Sequence, residues 1–200
     1  MSLSTFIKKM RDITRLDQGI NGDAQRIEQL TWMLFLKIYD DKEYDWEAMD
    51  EDYESIIPEE CRWRNWADTV NGTALKGDEL IRFVDGTLLP TLKDLPIPAN
   101  CPRRKSIVKT VFTDIHNFMK DGVFLRQLIS EINECDFNDP KEAHAFGAIY
   151  ETILKLLQSA GSSGEFYTPR ALTDFMARHV GLKIGDKVAD FACGTGGFLN

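Results

Sequence analysis

The sequence predicts a mainly α-helical N-terminal domain followed by the opening of an α/β unit. Three observations carry this. Apolar residues recur at three- and four-residue spacing through most of the first 160 positions, the pattern of helices that bury one face. Gly161-Ser162-Ser163-Gly164 has the best linker composition in the chain, and no strand signal precedes it. Val188-Ala189-Asp190-Phe191-Ala192-Cys193-Gly194-Thr195-Gly196-Gly197-Phe198-Leu199 then reads as a buried strand, a glycine turn and the start of a helix. The domain boundary is therefore expected at the linker: residues 1–160 form the helical domain, and residues 161–200 begin a second domain whose remainder is expected beyond Asn200.

The helices follow in order. Leu3, Phe6, Ile7, Met10 and Ile13 make an amphipathic stripe, which the stretch 19–22 breaks. A second helix is expected from about Asp23 towards Tyr39, with Ile27, Leu30, Leu34 and Ile38 on one face. Trp32, Met33, Phe35 and Leu36 make it apolar nearly all round, so it should lie at the centre of the core. Residues 40–54 hold nine acids and one Lys, which reads as a solvated helix end or loop rather than a cation site. Trp63 and Trp66 are expected to pack against the helices rather than to stack on a base. Asp78 is expected to cap a third helix with Leu80, Ile81, Val84, Leu88 and Leu92 on its apolar face. Arg103-Arg104-Lys105 is the strongest basic cluster. It reads as a contact for a nucleic-acid phosphate or an acidic partner, or as a solvated helix start.

Further helices are expected over Ile107–Phe112 and over Phe124–Ile132. Another begins at Asp139-Pro140-Lys141-Glu142, where Asp139 caps, Pro140 takes the first helical position and Glu142 reaches back. His116 and His144 have no acid–base partner nearby in sequence and read as structural. After the linker, Thr168 is expected to cap a helix with Pro169 at its first position. Gly181 should end that helix, and Gly185-Asp186 should turn the chain into a strand over residues 187–191.

Composition narrows the class. The apolar share is 43% and mean hydropathy is −0.29, ordinary for a soluble globular protein. No 18-residue apolar run exists, so no membrane span is expected. The N-terminus lacks the basic-then-apolar build of a signal peptide. Cys61, Cys101, Cys135 and Cys193 are widely separated with no C-x-x-C pair, so neither a metal site nor a disulfide framework is indicated. Reduced thiols in a cytoplasmic protein are the simplest reading. The net charge is −8, and all of the acidic excess falls in residues 1–159. Phosphate neutralisation supplies most non-specific DNA affinity, so an acidic domain is a poor lone DNA binder.

The glycine turn limits its own ligand. A phosphate-binding P-loop needs a Lys after the glycines, and none follows Gly197. Gly194 and Gly196 fit the first two glycines of a dinucleotide fingerprint, but Leu199 stands where the third belongs. Asp190, at the expected strand end, would repel a pyrophosphate. A cationic or zwitterionic ligand suits it better, and S-adenosylmethionine, with its ammonium and sulfonium, is one. An ordinary strand-to-helix turn with no ligand fits the glycines alone equally well.

A second segment, Gly164-Glu165-Phe166-Tyr167-Thr168-Pro169-Arg170, lies upstream. Together with Asp190-Phe191-Ala192-Cys193-Gly194-Thr195-Gly196-Gly197-Phe198-Leu199 it resembles the adenine-specific DNA methyltransferases of type I restriction–modification systems, specifically their modification subunits. The family's usual Pro after the aspartate is Phe191 here. The resemblance implies that residues 161–200 open a Rossmann-like S-adenosylmethionine-dependent methyltransferase domain. It implies that Glu165, Phe166, Tyr167, Thr168, Pro169, Arg170, Asp190, Gly194, Thr195, Gly196 and Gly197 contribute to the cofactor pocket. A helix start behind Thr168 favours an anionic group, and the resemblance places the methionine carboxylate there.

Methyl transfer to adenine needs a polar group and a carbonyl on the target amino group, and an aromatic against the flipped base. The family supplies these with an [N/D]-P-P-[F/Y] motif. The sequence contains no Pro-Pro, so no catalytic residue is assigned and the motif is expected beyond Asn200. Cys193 precedes Gly194 in the cofactor turn and is not read as a nucleophile. The resemblance further implies DNA, a specificity subunit and a restriction subunit as partners. Two other readings stand beside this one. The helical domain is an assembly module with no activity of its own, or the chain belongs to a stand-alone restriction-system methyltransferase.

Overall fold

The computed structural model describes residues 3–68, 74–134, 168, 170–193 and 198. The chain divides into two compact units, Met1–Lys155 and Leu156–Asn200. The first contains α1 (Leu3–Leu16), α2 (Asp23–Met49), a 3-10 turn (Glu59–Cys61), α3 (Trp63–Trp66), α4 (Gly77–Phe83), α5 (Leu89–Lys93), α6 (Arg103–Phe112) and α7 (Gly122–Asn133). The helix expected from Asp139, with His144 and the linker 161–164, lies outside the described residues.

Helix α7 is the hub of this unit and packs against α1, α2 and α4. Its Leu125, Leu128, Ile129 and Ile132 are fully buried at the three- and four-residue spacing of one face. Burying side chains of this kind contributes on the order of 1.5–3 kcal/mol each. Helix α2 is the central helix expected from its composition: Trp32, Met33, Leu34 and Leu36 are all buried. It runs on to Met49, past the expected end at Tyr39. Trp63 and Trp66 pack edge to face with centroids 5.1 Å apart, and Trp63 Nε1 donates to Asn133 Oδ1 at 2.7 Å. Both are buried, so neither offers a face to a base.

The third expected helix is interrupted. Between α4 and α5 the stretch Val84–Leu88 widens into a π-turn. Pro90, near the start of α5, has no N–H and its ring would collide with the carbonyl four residues back. A widened turn admits the proline without ending the helix. Asp78 does not cap α4. Helix α4 begins two residues earlier than that cap implies, at Gly77 with φ +54° and Lys76 at the cap position, so Asp78 lies inside its first turn and favours the helix through the dipole instead.

Gly77 also faces Gly122. A Cβ on Gly122 would fall on the carbonyl group of Gly77. The first turns of α4 and α7 therefore meet backbone to backbone. Asp121 caps α7, its Oδ1 accepting from Val123 N at 2.7 Å and Phe124 N at 3.4 Å.

The irregular segment before α7 is held by buried polar side chains. Asp17, 3% exposed, accepts the N–H groups of Gly19 at 2.8 Å, Lys120 at 3.1 Å and Asp121 at 2.9 Å. Gln29 Oε1 accepts from Phe118 N at 2.9 Å. Asn117 donates to Asp85 Oδ1 at 2.9 Å and to Met119 O at 3.1 Å. His116 meets Glu28, whose Oε1 accepts its backbone N–H at 3.2 Å and lies 3.7 Å from Nδ1.

The acidic stretch 40–54 is not simply solvated. Asp40, Asp41 and Glu43 are buried. Arg64 reaches back from α3 to α2, donating to Asp40 Oδ1 at 2.9 Å, Asp40 O at 3.0 Å and Glu47 Oε2 at 2.8 Å. Its guanidinium lies 3.5 Å from the centre of the Tyr44 ring. Tyr53 and Ser55 both donate to Glu43 Oε1, at 2.8 and 2.6 Å. Lys105 bonds to Glu54 O and lies 4.6 Å from the Tyr53 ring centre, so one member of the basic cluster is spent on tying down this loop. The reason for the difference is the turn at residues 50–62, which folds the chain back over the end of α2 and delivers two arginines to its acids.

Two predictions follow from this packing. Gly122→Ala should cost about 1–3 kcal/mol in denaturant unfolding, because its Cβ meets backbone that cannot swing aside. Gly86→Ala, with open space around it, should be neutral or slightly stabilising. Equal stability of the two variants would mean that the contact between the first turns of α4 and α7 is not formed. The second concerns pH. Burial pushes the carboxyl of Asp40 from 3.8 up to about 6, against the opposing pull of Arg64. A carboxyl that holds its proton more tightly when folded adds stability that is fully present below about pH 4 and is lost as pH rises to about 6. Asp40→Asn should flatten the fall in stability across that window; an unchanged pH profile would contradict the assignment.

Candidate functional site

The residues expected to hold a cofactor fall in the second unit. Helix α8 spans Arg170–His179. The Phe175 and His179 rings lie 4.1 Å apart, and His179 Nδ1 is 2.7 Å from Phe175 O. Arg178 pairs with Asp174 one turn earlier at 3.3 Å. The helix ends where expected: Val180 N donates to Met176 O at 3.1 Å and Gly181 takes φ +73°, a conformation open to glycine. The next turn is also the expected one. Asp186 Oδ2 accepts from Lys183 N at 2.8 Å, Asp186 N returns to Lys183 O at 3.0 Å, and Gly185 has φ +99°.

The strand expected over residues 187–191 is not formed. These residues carry no regular structure, Val188 is half exposed and Phe191 fully exposed. A strand satisfies its N–H and C=O groups only against a neighbouring strand, and the described residues contain none. The strand-forming side chains are present, and the ladder that would make them a strand is not.

Of the candidate cofactor residues, three can be placed. Thr168 is exposed. Arg170 is the first residue of α8. Asp190 is half-buried, with Oδ1 accepting from Ala192 N at 3.0 Å, so its carboxylate is anchored by the turn it opens. Glu165, Phe166, Tyr167, Pro169, Gly194, Thr195, Gly196 and Gly197 lie outside the described residues. A carboxylate fixed in this way fits an ammonium-bearing ligand and not a phosphate. Cys193 is exposed, and no disulfide is found among the described residues. Among those residues there is also no group of three or more His, Cys, Asp or Glu that could hold a metal, and no helix long and apolar enough to cross a membrane.

Sequence reasoning passed over the polar groups that matter most in the first unit. Asp17 had a local signal, since Asp17-Gln18-Gly19 is a side-chain-to-backbone turn. Arg64 had none, because its partners lie 17 and 24 residues away. Two thiol and guanidinium environments are likewise products of folding: burial raises Cys61 to about 11 and lowers Arg126.

Comparison with known proteins places this architecture. The HsdM N-terminal domain family matches residues 3–132, and the N-6 DNA Methylase family matches residues 141–200. The EcoEI methylase subunit of an Escherichia coli type I restriction enzyme is 50% identical over the whole chain. The MjaIX methylase subunit of Methanocaldococcus jannaschii is 27% identical over 72% of it. The chain spans 40% and 24% of the lengths of these two relatives. Among solved structures, a modification subunit assigned to a type I restriction enzyme of Vibrio vulnificus superposes with TM-score 0.81 at 38% identity. That match covers 98% of this chain and 44% of the other. A chain from a structural study of complex assembly and conformational transition of the type I R–M system gives TM-score 0.77 at 33% identity, covering 98% and 39%. The chain belongs to the family of type I restriction–modification methylase subunits, and residues 3–132 are its HsdM N-terminal domain.

Proposed function

We propose that this chain is the N-terminal part of a site-specific DNA methyltransferase subunit that transfers a methyl group from S-adenosylmethionine to the exocyclic amino group of adenine. One observation carries the reading: an HsdM N-terminal domain over residues 3–132 is followed in the same chain by an N-6 DNA Methylase segment over residues 141–200. The helical assembly domain expected over residues 1–160 comes first and the catalytic domain expected from residue 161 follows, although the methylase family match already opens at residue 141, ahead of the linker. The cofactor, when bound, supplies an electrophilic methyl on sulfur. Asp190 takes its ammonium group, Gly194, Thr195, Gly196 and Gly197 let the backbone come close, and the helix start behind Thr168 and Pro169 receives its carboxylate. Glu165, Phe166, Tyr167 and Arg170 complete this side of the pocket. The residues that draw on the target amino group belong to the remainder of the subunit.

The acidic excess of the helical domain supports protein contacts as its main task, with a specificity subunit and a restriction subunit as partners and DNA held between them. The site of action is the cytoplasm.

Isothermal calorimetry on the full-length subunit tests the pocket. Asp190→Ala and Gly194→Val should each weaken S-adenosylmethionine binding at least about tenfold, as expected for loss of a charged hydrogen bond or a blocked backbone approach. Wild-type affinity in both variants would remove these residues from the site.

A further inference from the structure

Helix α1 is a basic element in an acidic chain. It carries Lys8, Lys9, Arg11 and Arg15 against a single acid, Asp12, while the whole sequence has net charge −8. Lys9 is taken up by Glu131 of α7, with Nζ 2.8 Å from Oε2. Of the other three, Lys8 and Arg15 stand away from the core and Arg11 lies at its edge, with its Nε buried and without a hydrogen-bond partner. Lys8 and Arg15 are exposed and Arg11 is half-buried, whereas Phe6, Met10 and Thr14 face inward and are buried. Positions 8, 11 and 15 are three and four residues apart, so they form one stripe along the outer side of the helix. No ion pair among the described residues engages any of them. Elsewhere in the unit cations are generally spent: Lys37, Lys42, Arg62 and Arg64 on carboxylates, and Lys105 and Lys109 on carbonyls.

We propose that Lys8, Arg11 and Arg15 contact the phosphate backbone of the DNA duplex on which the subunit acts. This rests on the reading of the chain as part of a DNA methyltransferase subunit. The helix rises 1.5 Å per residue, so the stripe is about 10 Å long, and one strand of a duplex offers a phosphate about every 3.4 Å of its axis. Laid along the axis, the stripe matches the rise of about three phosphates, which the long side chains must reach around the curve of the strand. Cations on long stems along a helix side fix the position of a backbone and carry no base readout. The acidic remainder of the unit disfavours a duplex over most of its surface, the exposed Arg103 at the start of α6 being another place where a phosphate is not repelled. Asp12 lies within the stripe and opposes the same contact. An acidic protein surface is the competing occupant.

The test uses the assembled methylase with its specificity subunit and a duplex carrying the recognition sequence, with Kd measured between 50 and 200 mM salt. Each phosphate contact contributes about 0.9 to the slope of log affinity against log salt. The triple variant Lys8→Gln, Arg11→Gln, Arg15→Gln should therefore lower that slope by about 2–3 and weaken binding more than about tenfold at the low-salt end. Asp12→Asn should tighten binding at every salt concentration, a gain that misfolding cannot mimic. An unchanged slope in the triple variant together with unchanged affinity in Asp12→Asn overturns the proposal. So does a loss that appears as dissociation of the subunits rather than in the slope, which assigns the stripe to a protein partner. Methyl transfer by the unaltered complex is followed in parallel: its absence refutes the enzymatic reading, while the slope alone decides the stripe.

Discussion

The helical unit depends on one buried carboxylate. Asp17 sits at the end of α1 and accepts three backbone N–H groups, from Gly19, Lys120 and Asp121. The first belongs to the turn into α2; the other two belong to the residues that open α7. A single side chain thus fixes where the central helix starts and where the hub helix starts, across more than a hundred residues of sequence. Buried backbone N–H groups are costly when unpaired, and an ionised acceptor bonds them more strongly than a neutral one. Gly19 fits the same constraint, because a Cβ there would fall on the carbonyl of Phe118.

Once α7 is set, the remaining contacts follow from it. Gly122 meets Gly77 and aligns α4 with α7. The apolar face Leu125, Leu128, Ile129 and Ile132 then closes against α1, α2 and α4. The far side of α2 is secured differently. Asp40 and Glu47 are met by Arg62 and Arg64, brought there by the turn that leads into α3, so this part of the acidic stretch becomes a junction. The desolvation of Asp40 is the energetic cost of that junction, and its raised affinity for a proton is the sign of it.

Helices were legible because their apolar spacing is local. Phe6 and Met10 of the first stripe, Leu30 and Leu34 of the second, and Leu125, Leu128, Ile129 and Ile132 of the third are all buried. What sequence could not supply was pairing at a distance. The cap of α4 was misplaced by two residues: Lys76, with no side-chain bond, stands at the cap instead of Asp78, and Gly77 at the helix start lies against Gly122. The strand at residues 187–191 failed for the complementary reason: Val188 and Phe191 have the right side chains, but a strand is completed by its neighbours. The acids of residues 40–54 divide: Asp50, Glu51, Asp52 and Glu54 are exposed beyond the end of α2 as expected, whereas Asp40, Asp41 and Glu43 are buried, and Asp40 meets an arginine from a segment with no periodic signal of its own. In the second unit, the C-terminal end of α8 and the turn at Gly185 were legible from glycine chemistry alone, since each needs a positive φ.

A helical HsdM N-terminal domain precedes a segment of the N-6 DNA Methylase family, in which the Asp190 carboxylate accepts from Ala192 N in a turn. The central claim is the identity of the methylated atom. Incubating the assembled methylase with S-adenosylmethionine labelled in its methyl group and with duplex DNA, then hydrolysing the DNA to nucleosides, tests it directly. The proposed function predicts that the label is recovered in N6-methyl-2′-deoxyadenosine; recovery in a methylated cytosine, or in no base at all, contradicts it.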